Sequence, residues 1–538
     1  MPTRQADIRR YLVPINTAST QQLFTDCLVI GAGIAGLRAA LEAAPHCNVT
    51  LVCKGTFSDT NTWNAQGGIA SVLDEVEDSF EAHIEDTLRT GCGLGDKPVI
   101  ERVVREGPGL VRQLADWGTA FDLVDGEIDI SLEGGHSHAR IAHSHGDSTG
   151  RGIAETLIAR VQQSPTINVM EHFFTIDLLT SEDGQCVGVI GRRPSGSLQI
   201  IWAGATILAT GGAGRLYRET TNPECATADG LAMAWRAGAV LRDMEFMQFH
   251  PTTLYIAGAS RALVTETLRG EGAILRDINH EPFMKEYDPR GELAPRDVVS
   301  RAILDRMLKT QATHVYLDIR HFDKAHFKKR FPLISELCES FDIDVSTDLI
   351  PVRPSAHYMI GGLKADISAA TSIPRLFACG EAASTGLHGA NRLGSNSLLE
   401  GLVFGRIAGQ SAVELLAKAG TVGYRRMQFD VPPSDRSRLD TDDVRNSLRA
   451  LMCRNVGITR SATPLQEAME IIQFWQRYVM DKVFSEPFGW ECQNMLTVAL
   501  LMAHAAYKRQ ESRGVHYRQD YPNRDDKHFS YHIELARE

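Results

Sequence analysis

The segment at residues 376–405 carries the residue types of an anion or cofactor site. It begins as a short apolar strand, breaks at Gly380 and resumes as a helical pattern from Ser397. The polar turn between them holds one permanent cation, Arg392, and one titratable ring, His388. A strand, a turn and a helix start in this order form a phosphate-binding or cofactor-binding edge of an α/β sheet. An ordinary glycine-rich connection is the alternative interpretation.

A second such edge lies near the N-terminus. An apolar strand at residues 25–30 precedes a helical run at residues 37–44, and the turn between them reads Gly31-Ala32-Gly33-Ile34-Ala35-Gly36. The G-x-G-x-x-G spacing permits a tight turn, close approach to a pyrophosphate and close packing of the helix on the strand. Its place between a strand and a helix predicts dinucleotide binding over a purely structural turn.

The end of the next predicted strand, residues 49–52, lacks the acidic residue that usually holds an adenosine ribose. Cys53 and Lys54 stand there instead. A lysine at this place leaves a phosphorylated ribose, as in NADP, as an alternative. Residues 61–70 follow as a polar loop whose glycine pair, Gly67-Gly68, lets the backbone approach a flat ring closely. A surface turn is the other interpretation of this loop.

Two His-x-His pairs lie within residues 133–150, with Glu133 and Asp147 nearby. Such a pair shares one face of a strand and could bind a metal ion. No cysteine lies near the pairs in the sequence, and histidines clustered in polar loops commonly form hydrogen bonds. We therefore predict no metal site.

Composition excludes several classes of protein. The chain has 538 residues, 43% hydrophobic content and a net charge of −11, which argues against a nucleic-acid partner. No run of apolar residues is long enough to span a membrane, and the first residues lack the core of a signal peptide. Ten scattered cysteines without a C-x-x-C pair favour a reducing cytoplasm over a disulfide framework or iron–sulfur ligation.

Several further motifs make the chain recognisable. They are Ala65-Gln-Gly-Gly-Ile, Phe249-His-Pro-Thr, Leu268-Arg-Gly-Glu-Gly, Pro295-Arg-Asp, His388-Gly-Ala-Asn-Arg and Glu511-Ser-Arg-Gly-Val-His-Tyr-Arg-Gln-Asp-Tyr-Pro. In this order they resemble the family that contains the flavoprotein subunits of succinate dehydrogenase and fumarate reductase, together with L-aspartate oxidase. The resemblance extends over residues 25–524.

Three details make the chain more similar to the oxidases of that family. The dehydrogenases carry a histidine, bonded covalently to FAD, where this chain has Asn61. They tend to carry glycine where this chain has Ser395, and the run Glu133-Gly-Gly-His-Ser-His is similar to the oxidases. Lys54 also looks like the oxidases, which removes the NADP alternative.

The resemblance implies an α/β fold: a discontinuous Rossmann-like FAD-binding domain with an inserted α+β capping domain and a C-terminal helical bundle. The implied divisions are residues 1–24 as a polar N-terminal extension, residues 25–243 and 359–430 as the two parts of the FAD-binding domain, residues 244–358 as the capping domain and residues 431–538 as the helical domain. A probable linker lies at residues 431–436.

The implied cofactor is non-covalent FAD, with Glu381 accepting hydrogen bonds from the ribityl hydroxyls and the helix start near Ser397 facing the flavin. Asp229 could alternatively be only the first residue of a helix. The implied FAD contacts are Gly31, Ala32, Gly33, Ile34, Gly36, Lys54, Asn61, Thr62, Trp63, Asn64, Ala65, Gln66, Gly67, Gly68, Asp229, Glu381, Ser397 and Leu398.

The implied reaction is oxidation of L-aspartate to iminoaspartate. Arg392 would bind one substrate carboxylate, and His250, His357 and Thr265 the other. Arg296 would transfer a proton, with Glu266 and Arg269 as candidate relay partners, or would only position and polarise if the amine sheds its proton before binding. The family oxidases use a glutamate before the Gly-Gly-His motif for the amino group, and we assign it to Glu127, with Asp129 as the alternative.

The resemblance also implies the partners and the pathway. Electrons would pass to dioxygen or to fumarate, and the product would feed quinolinate synthase in NAD biosynthesis. A soluble fumarate reductase or succinate dehydrogenase flavoprotein subunit is the alternative function. A cofactor-binding protein without turnover is a second alternative, against which the joint presence of His250, Arg296, His357 and Arg392 argues.

Overall fold

The computed structural model describes residues 9–256, 262–419, 423–432 and 434–537. Its strands, in chain order, are β1 Ile15–Asn16, β2 Gln21–Ile30, β3 Val49–Val52, β4 Ile69–Ala70, β5 Leu123–Val124, β6 Glu127–Ile128, β7 Ile130–Ser131, β8 Ile141–Ala142, β9 Ile167–Met170, β10 Phe174–Thr180, β11 Cys186–Arg192, β12 Leu198–Leu208, β13 Leu241–Arg242, β14 Met247–Leu254, β15 Ile274–Arg276, β16 Val315–Asp318, β17 Ile350–Met359, β18 Gly362–Lys364, β19 Leu376–Ala378, β20 Ala383–Ser384, β21 Gln428–Phe429, β22 Thr459–Arg460, β23 Tyr517–Arg518 and β24 Glu534–Leu535.

The helices, in chain order, are α1 Ile34–Ala43, α2 Phe80–Thr90, α3 Lys97–Asp116, α4 Thr149–Gln163, α5 Asp229–Arg236, α6 Thr267–Gly270, α7 Arg296–Thr310, α8 Lys324–Arg330, α9 Pro332–Glu339, α10 Asn396–Ala419, α11 Thr441–Asn455, α12 Ala462–Val479, α13 Pro487–Lys508 and α14 Asp526–Phe529. Short 3-10 turns lie at Gly214–Leu216, Met284–Glu286, Gly291–Leu293 and Gly380–Ala382. Among the described helices, none is long and apolar enough to cross a membrane.

A central sheet organises the cofactor region. Its strand order is β10-β11-β12-β2-β3-β9, and β19 pairs with the second half of β12 beside β11. The pairs β12–β2, β2–β3 and β3–β9 are parallel. The inner strands β3 and β12 are buried along almost their whole length, which is typical of a parallel sheet covered on both faces by helices.

Helices α1 and α10 lie against each other with unusually small side chains between them. A Cβ atom on Gly405 would lie 2.5 Å from the carbonyl oxygen of Ala35, and one on Gly409 would lie 2.7 Å from that of Ala39. A Cβ atom on Gly401 would lie 2.6 Å from the side chain of Ile34. Later residues of α10 therefore meet later residues of α1, so the two helices run in the same direction. The N-termini of both helices therefore lie at the same end of the pair, where β2 also ends.

A second sheet, in the order β14-β17-β16-β15, carries its own apolar core together with α7, α8 and α9. Asp147, in the loop before α4, joins this region to the cofactor region. Its two carboxylate oxygens each accept a hydrogen bond of 3.2 Å, from the amides of Leu333 and Ile334 at the start of α9. The domain boundaries inferred from the sequence stay predictions.

The N-terminal segment differs from the expected polar extension. Tyr11, Leu12 and Val13 are buried in the largest apolar core, and β1 pairs with β21. Strand β2, which the sequence predicts to start at residue 25, begins at Gln21. A short apolar run in a polar context gives too weak a local signal to predict such burial. Residues 1–8 of the extension and Pro433 of the predicted linker lie outside the described residues.

The C-terminal region packs as helices against the cofactor region. Helices α11, α12 and α13 contact one another, and α13 also lies against α5. The chain then returns to pair β24 with β13 beside the cofactor region. This arrangement brings residues near position 491 within reach of the end of β3.

Candidate active site

The glycine turn before α1 has the shape of a phosphate-binding turn. Gly31 has a φ of +112°, and a Cβ atom there would lie 2.1 Å from the carbonyl oxygen of Ala209. A Cβ atom on Gly36 would lie 1.9 Å from the carbonyl oxygen of Gly31. Both positions therefore require glycine, and the N-terminus of α1 behind them favours an anion. The remaining predicted contacts of this turn are Ala32, Gly33 and Ile34.

The loop at residues 61–68 connects this turn to Glu381. Asn61 Nδ2 donates to Glu381 Oε2 at 2.9 Å, and Thr62 Oγ1 accepts from the amide of Ile34 at 3.0 Å. Gln66 Oε1 is buried and has no hydrogen-bond partner in the described part of the chain. A buried polar atom of this kind fits a cofactor group as its partner. The other predicted contacts in this loop are Trp63, the exposed Asn64, Ala65, Gly67 and Gly68.

Lys54, just after β3, and Asp229, the first residue of α5, form an ion pair. Lys54 Nζ donates to Asp229 Oδ2 at 2.6 Å and to Thr227 Oγ1 at 2.6 Å. Burial alone would lower the pKa of Lys54, but the carboxylates of Asp229 and Glu491 outweigh burial and raise it. The lysine therefore stays charged and holds an acid of α5 beside the end of β3, where the expected acid is missing.

Two arginines, Arg269 and Arg296, share the carboxylate of Glu266. Glu266 Oε2 accepts from Arg296 Nε at 2.6 Å, and its Oε1 accepts from Arg269 Nη2 at 2.9 Å. Burial alone would raise the pKa of Glu266, but the two guanidiniums lower it to about 2. The carboxylate is therefore ionised and is shared by two arginines.

Gln248 joins this group to Arg392. Its Oε1 accepts from Arg392 Nε at 3.1 Å and from Arg296 Nη1 at 3.3 Å, so one amide oxygen contacts both cations. Burial and the charge of Arg296 lower the pKa of Arg392 to about 10, which leaves it protonated near neutrality. Arg392 Nη1 also donates to Ser397 Oγ at 2.6 Å.

The guanidinium of Arg392 packs on the ring of Tyr358. The guanidinium carbon of Arg392 lies 4.3 Å from the centre of the Tyr358 ring. The Tyr358 hydroxyl donates to Glu400 Oε2 at 2.9 Å, and Glu400 also accepts from Thr385 and contacts His388 at 2.9 Å. His388 thus belongs to the support of Arg392 and lies one residue layer away from it.

His250 and His357 lie together with their ring centres 5.3 Å apart. Burial, together with the guanidiniums of Arg296 and Arg269, holds the pKa of His250 well below its usual range. Burial and Arg392 do the same for the pKa of His357, whose Nδ1 lies 2.8 Å from Thr221 Oγ1. Both imidazoles are therefore neutral near pH 7. Thr265, also buried, contacts Thr267 Oγ1 at 3.2 Å.

A carboxylate that the sequence assignment missed lies among these groups. Glu133 Oε2 accepts from Ser395 Oγ at 2.8 Å, and its Oε1 accepts from Thr267 Oγ1 at 3.3 Å. A Cβ atom on Gly394 would lie 3.2 Å from Arg296 Nη2 and 3.6 Å from Glu133 Oε2. Glu133 is therefore a neighbour of the proton-transfer candidate.

Glu127, our predicted contact for the substrate amino group, lies elsewhere. It is exposed on the β5–β6 hairpin, where it pairs with Val124, and the alternative Asp129 follows two residues later. The structure does not bring Glu127 together with the other site residues. The signal that could have found Glu133 is its position immediately before Gly134-Gly135-His136.

The histidines of that motif form hydrogen bonds. His136 Nε2 contacts the carbonyl oxygen of Gly394 at 3.0 Å, and its Nδ1 contacts Arg140 Nη1 at 3.0 Å. Arg140 in turn pairs with Asp78 and Asp86, at 2.7 Å each. In the part of the chain that the structure describes, no group of three or more histidine, cysteine or acidic side chains has the geometry of a metal site. Through the contact of His136 with Gly394, the motif holds the segment that precedes α10.

The sequence of this chain is similar to those of several known proteins. The model for an FAD binding domain matches residues 26–398, and the model for the fumarate reductase flavoprotein C-terminus matches residues 445–538. L-Aspartate oxidase of Yersinia pestis is 41% identical over 94% of this chain and 97% of its own length. Chloroplastic L-aspartate oxidase of Arabidopsis thaliana is 40% identical over 94% of this chain and 82% of its own length.

The chain belongs to the L-aspartate oxidase family. The solved structure of quinol fumarate reductase from E. coli is similar to it over 96% of both chains, with a TM-score of 0.89 and 34% identity. For this member of the L-aspartate oxidase family, the predicted α/β flavoprotein fold and the FAD cofactor are thereby confirmed. When FAD binds, the residues that would hold it are the α1 turn, the loop at residues 61–68, Lys54 with Asp229, Glu381, and Ser397 with Leu398 at the start of α10.

The pKa of Glu381 generates a testable prediction. Burial raises this pKa to about 7, against the hydrogen bonds from the Met359 amide and Asn61. An ionised carboxylate accepts hydroxyl hydrogen bonds more strongly than a neutral one. Affinity of the apoprotein for FAD should therefore be nearly full at pH 8 and fall about tenfold between pH 8 and pH 6. Fluorescence titration of apoprotein with FAD across this range measures it.

Glu381→Gln should bind FAD more weakly and without this pH dependence. Glu224→Gln is the matched control, because the Glu224 side chain is 97% exposed. An unchanged pH dependence in Glu381→Gln would show that another group is responsible.

Proposed function

We propose that this chain oxidises L-aspartate to iminoaspartate with FAD as cofactor. The observation that carries the proposal is one buried cluster that holds two guanidiniums, two neutral imidazoles and the carboxylate of Glu133. L-Aspartate offers two carboxylates for the first two kinds of group and an ammonium for the last. When bound, FAD supplies the redox chemistry: it accepts two electrons from the substrate and passes them to dioxygen, giving hydrogen peroxide, or to fumarate, giving succinate.

The two substrate carboxylates bind to different elements in this proposal. Arg392, held between Gln248 and Ser397, pairs with one of them through its guanidinium. His250, His357 and Thr265 contact the other as uncharged polar groups. Because both imidazoles are uncharged, they fix the position of this carboxylate without adding buried charge.

The α-amino group binds to Glu133. This carboxylate accepts hydrogen bonds from the hydroxyls of Ser395 and Thr267. The imidazole of His143 lies 3.9 Å from it, and burial lowers the pKa of His143, so this ring supplies no positive charge. An ammonium group is the partner that such a carboxylate favours in a buried site.

Arg296 transfers the proton that leaves the substrate. Its guanidinium remains charged in water, so it is a weak base, but Glu266 at 2.6 Å offers a path for the proton that leaves the substrate. In the reverse sense, the same pair returns a proton to carbon when fumarate is the acceptor. If the amine has already lost its proton on binding, Arg296 only orients and polarises the substrate.

The product is an unstable imine. We propose that its formation is the first step of NAD biosynthesis, that it feeds quinolinate synthase, and that the two enzymes are functionally coupled. A cytoplasmic location stays a prediction. The alternative function, a fumarate reductase or succinate dehydrogenase flavoprotein subunit, shares the pocket. Asn61 at the place of the covalent histidine argues against it, as does the Ser395–Glu133 hydrogen bond.

Anaerobic reduction of the flavin tests the proposed function. L-Aspartate added to the FAD-loaded protein without dioxygen should bleach the yellow absorption band within seconds. Succinate at the same concentration should bleach it at least about a hundredfold more slowly, because it leaves the Glu133 carboxylate without a partner. Faster bleaching by succinate would support the alternative function.

Replacement of Arg296 should separate binding from turnover. Arg296→Leu should keep FAD bound and lower kcat for aspartate by at least about 10³-fold, because the proton-transfer group and the partner of Glu266 are both lost. Arg290→Leu is the control, since the Arg290 side chain is 57% exposed and pairs with Asp288. Peroxide release and the flavin spectrum give the two readouts. Turnover near the original rate in Arg296→Leu would contradict this assignment.

Replacement of Glu133 should change substrate preference. Glu133→Gln should lower kcat/KM for aspartate about 10- to 100-fold, the value of a charge-assisted hydrogen bond. Fumarate reduction by the same variant, with a chemical electron donor, should change less than about threefold. Glu127→Gln provides the matched control and should leave both activities unchanged. A selective loss of aspartate oxidation in Glu127→Gln would instead favour our original assignment.

A further inference from the structure

Helix α13 of the C-terminal region reaches the Lys54 ammonium. Lys54 Nζ donates to Glu491 Oε1 at 2.8 Å, in addition to Thr227 and Asp229 at 2.6 Å each. A lysine ammonium has three donors, so this set uses all of them. The position of Lys54 is therefore fixed by residues from two separate parts of the chain.

The same helix also contacts Asp229. Asn494 lies one turn after Glu491, on the same face of α13, and its Nδ2 donates to Asp229 Oδ1 at 2.7 Å. Asn494 Oδ1 accepts from Arg236 Nη1 at 2.7 Å, and Arg236 pairs with Asp177 at 2.7 Å. Asn494 is thus fixed from both sides of its amide.

The carboxylate of Asp229 retains acceptor capacity. A carboxylate offers about four acceptor positions, and Lys54, Thr227 and Asn494 occupy three of them. A ribose hydroxyl is the kind of donor that a dinucleotide presents to a carboxylate in this place. The carboxylate that the end of β3 lacks is thereby supplied by α5, in an orientation that α13 determines.

Glu491 is also joined to the rest of the helical region. Its Oε2 accepts from Arg445 Nη1 of α11 at 3.0 Å, and the Arg445 guanidinium lies 3.9 Å from the centre of the Phe488 ring. Lys54, Glu491 and Arg445 all have side chains that are at most 20% exposed. In such surroundings, charge–charge contacts are worth more than at the surface.

We propose that Glu491 and Asn494 are positioning residues for the adenosine end of FAD, so that binding of FAD and docking of the C-terminal helices stabilise each other. The proposal rests on the placement of Lys54 and Asp229 at the cofactor. Loss of Glu491 frees one donor of Lys54 and leaves Arg445 without its acid, so both the lysine and α11 move more freely. Coupling of this kind is reciprocal: whatever the helices add to FAD affinity, FAD adds to their docking.

FAD titration of apoprotein tests the proposal directly. Glu491→Gln should raise the Kd for FAD at least tenfold, while kcat and KM for aspartate at saturating FAD stay within twofold. Glu486→Gln is the matched control, because Glu486 precedes the same helix but is 66% exposed and pairs with Arg192. The Kd of Glu486→Gln should equal that of the unaltered protein.

A double-mutant cycle separates positioning from a general loss of stability. Lys54→Met should weaken FAD binding, and adding Glu491→Gln to it should change the Kd less than twofold further, because Glu491 acts through Lys54. Full additivity of the two changes would overturn the proposal. So would a Glu491→Gln variant whose apoprotein Tm falls while its Kd for FAD stays the same.

Hydrogen exchange gives the reciprocal measurement. FAD should slow amide exchange in α11 and α13 of the unaltered protein, and this protection should shrink in Glu491→Gln. Equal protection in both proteins would overturn the proposal. The Kd for FAD, the apoprotein Tm and the exchange rates need no substrate, so a failure of aspartate to bleach the flavin would reject the proposed function and leave this inference standing.

Discussion

The ionised carboxylate of Glu266, shared between Arg269 and Arg296, is the interaction on which the site depends. Isolated guanidiniums in a buried region repel one another and lose their hydration, so each needs an acid or a fixed dipole. Glu266 satisfies two of them at 2.9 and 2.6 Å. The amide of Gln248 then carries the same arrangement across to Arg392 without another charge.

The charges of this region match the proposed substrate. Three guanidiniums and the carboxylates of Glu266 and Glu133 leave one net positive charge, because the two imidazoles are neutral. Aspartate with its amino group protonated has one net negative charge, whereas succinate has two. Glu133 therefore does more than contact an amino group. It lowers the net positive charge of these side chains to one, which matches in magnitude the net charge of an amino dicarboxylate.

Sequence reasoning succeeded where chemistry is written in a short stretch of chain and failed where it depends on distant contacts. The turn at Gly31 is a local pattern, and a strand and a helix flank it within a few residues. Glu133, in contrast, becomes a site residue through Ser395, which lies 262 positions away. Glu491 contacts Lys54 across 437 positions, with no local pattern to mark it. The burial of Tyr11 likewise depends on a core built from later strands.

The start of α10 joins the residues predicted to bind the cofactor to those proposed to bind the substrate. Ser397, at the beginning of this helix, accepts from Arg392 at 2.6 Å, and the preceding Ser395 has a φ of +60°, which is uncommon for a residue with a side chain. Glycine would adopt that conformation more easily but could not donate to Glu133. The serine hydroxyl thus links the helix start to the carboxylate proposed for the amino group. The Arg392 guanidinium and the Glu133 carboxylate are therefore both hydrogen-bonded to the start of α10, and the glycine contacts of α10 fix that helix against α1.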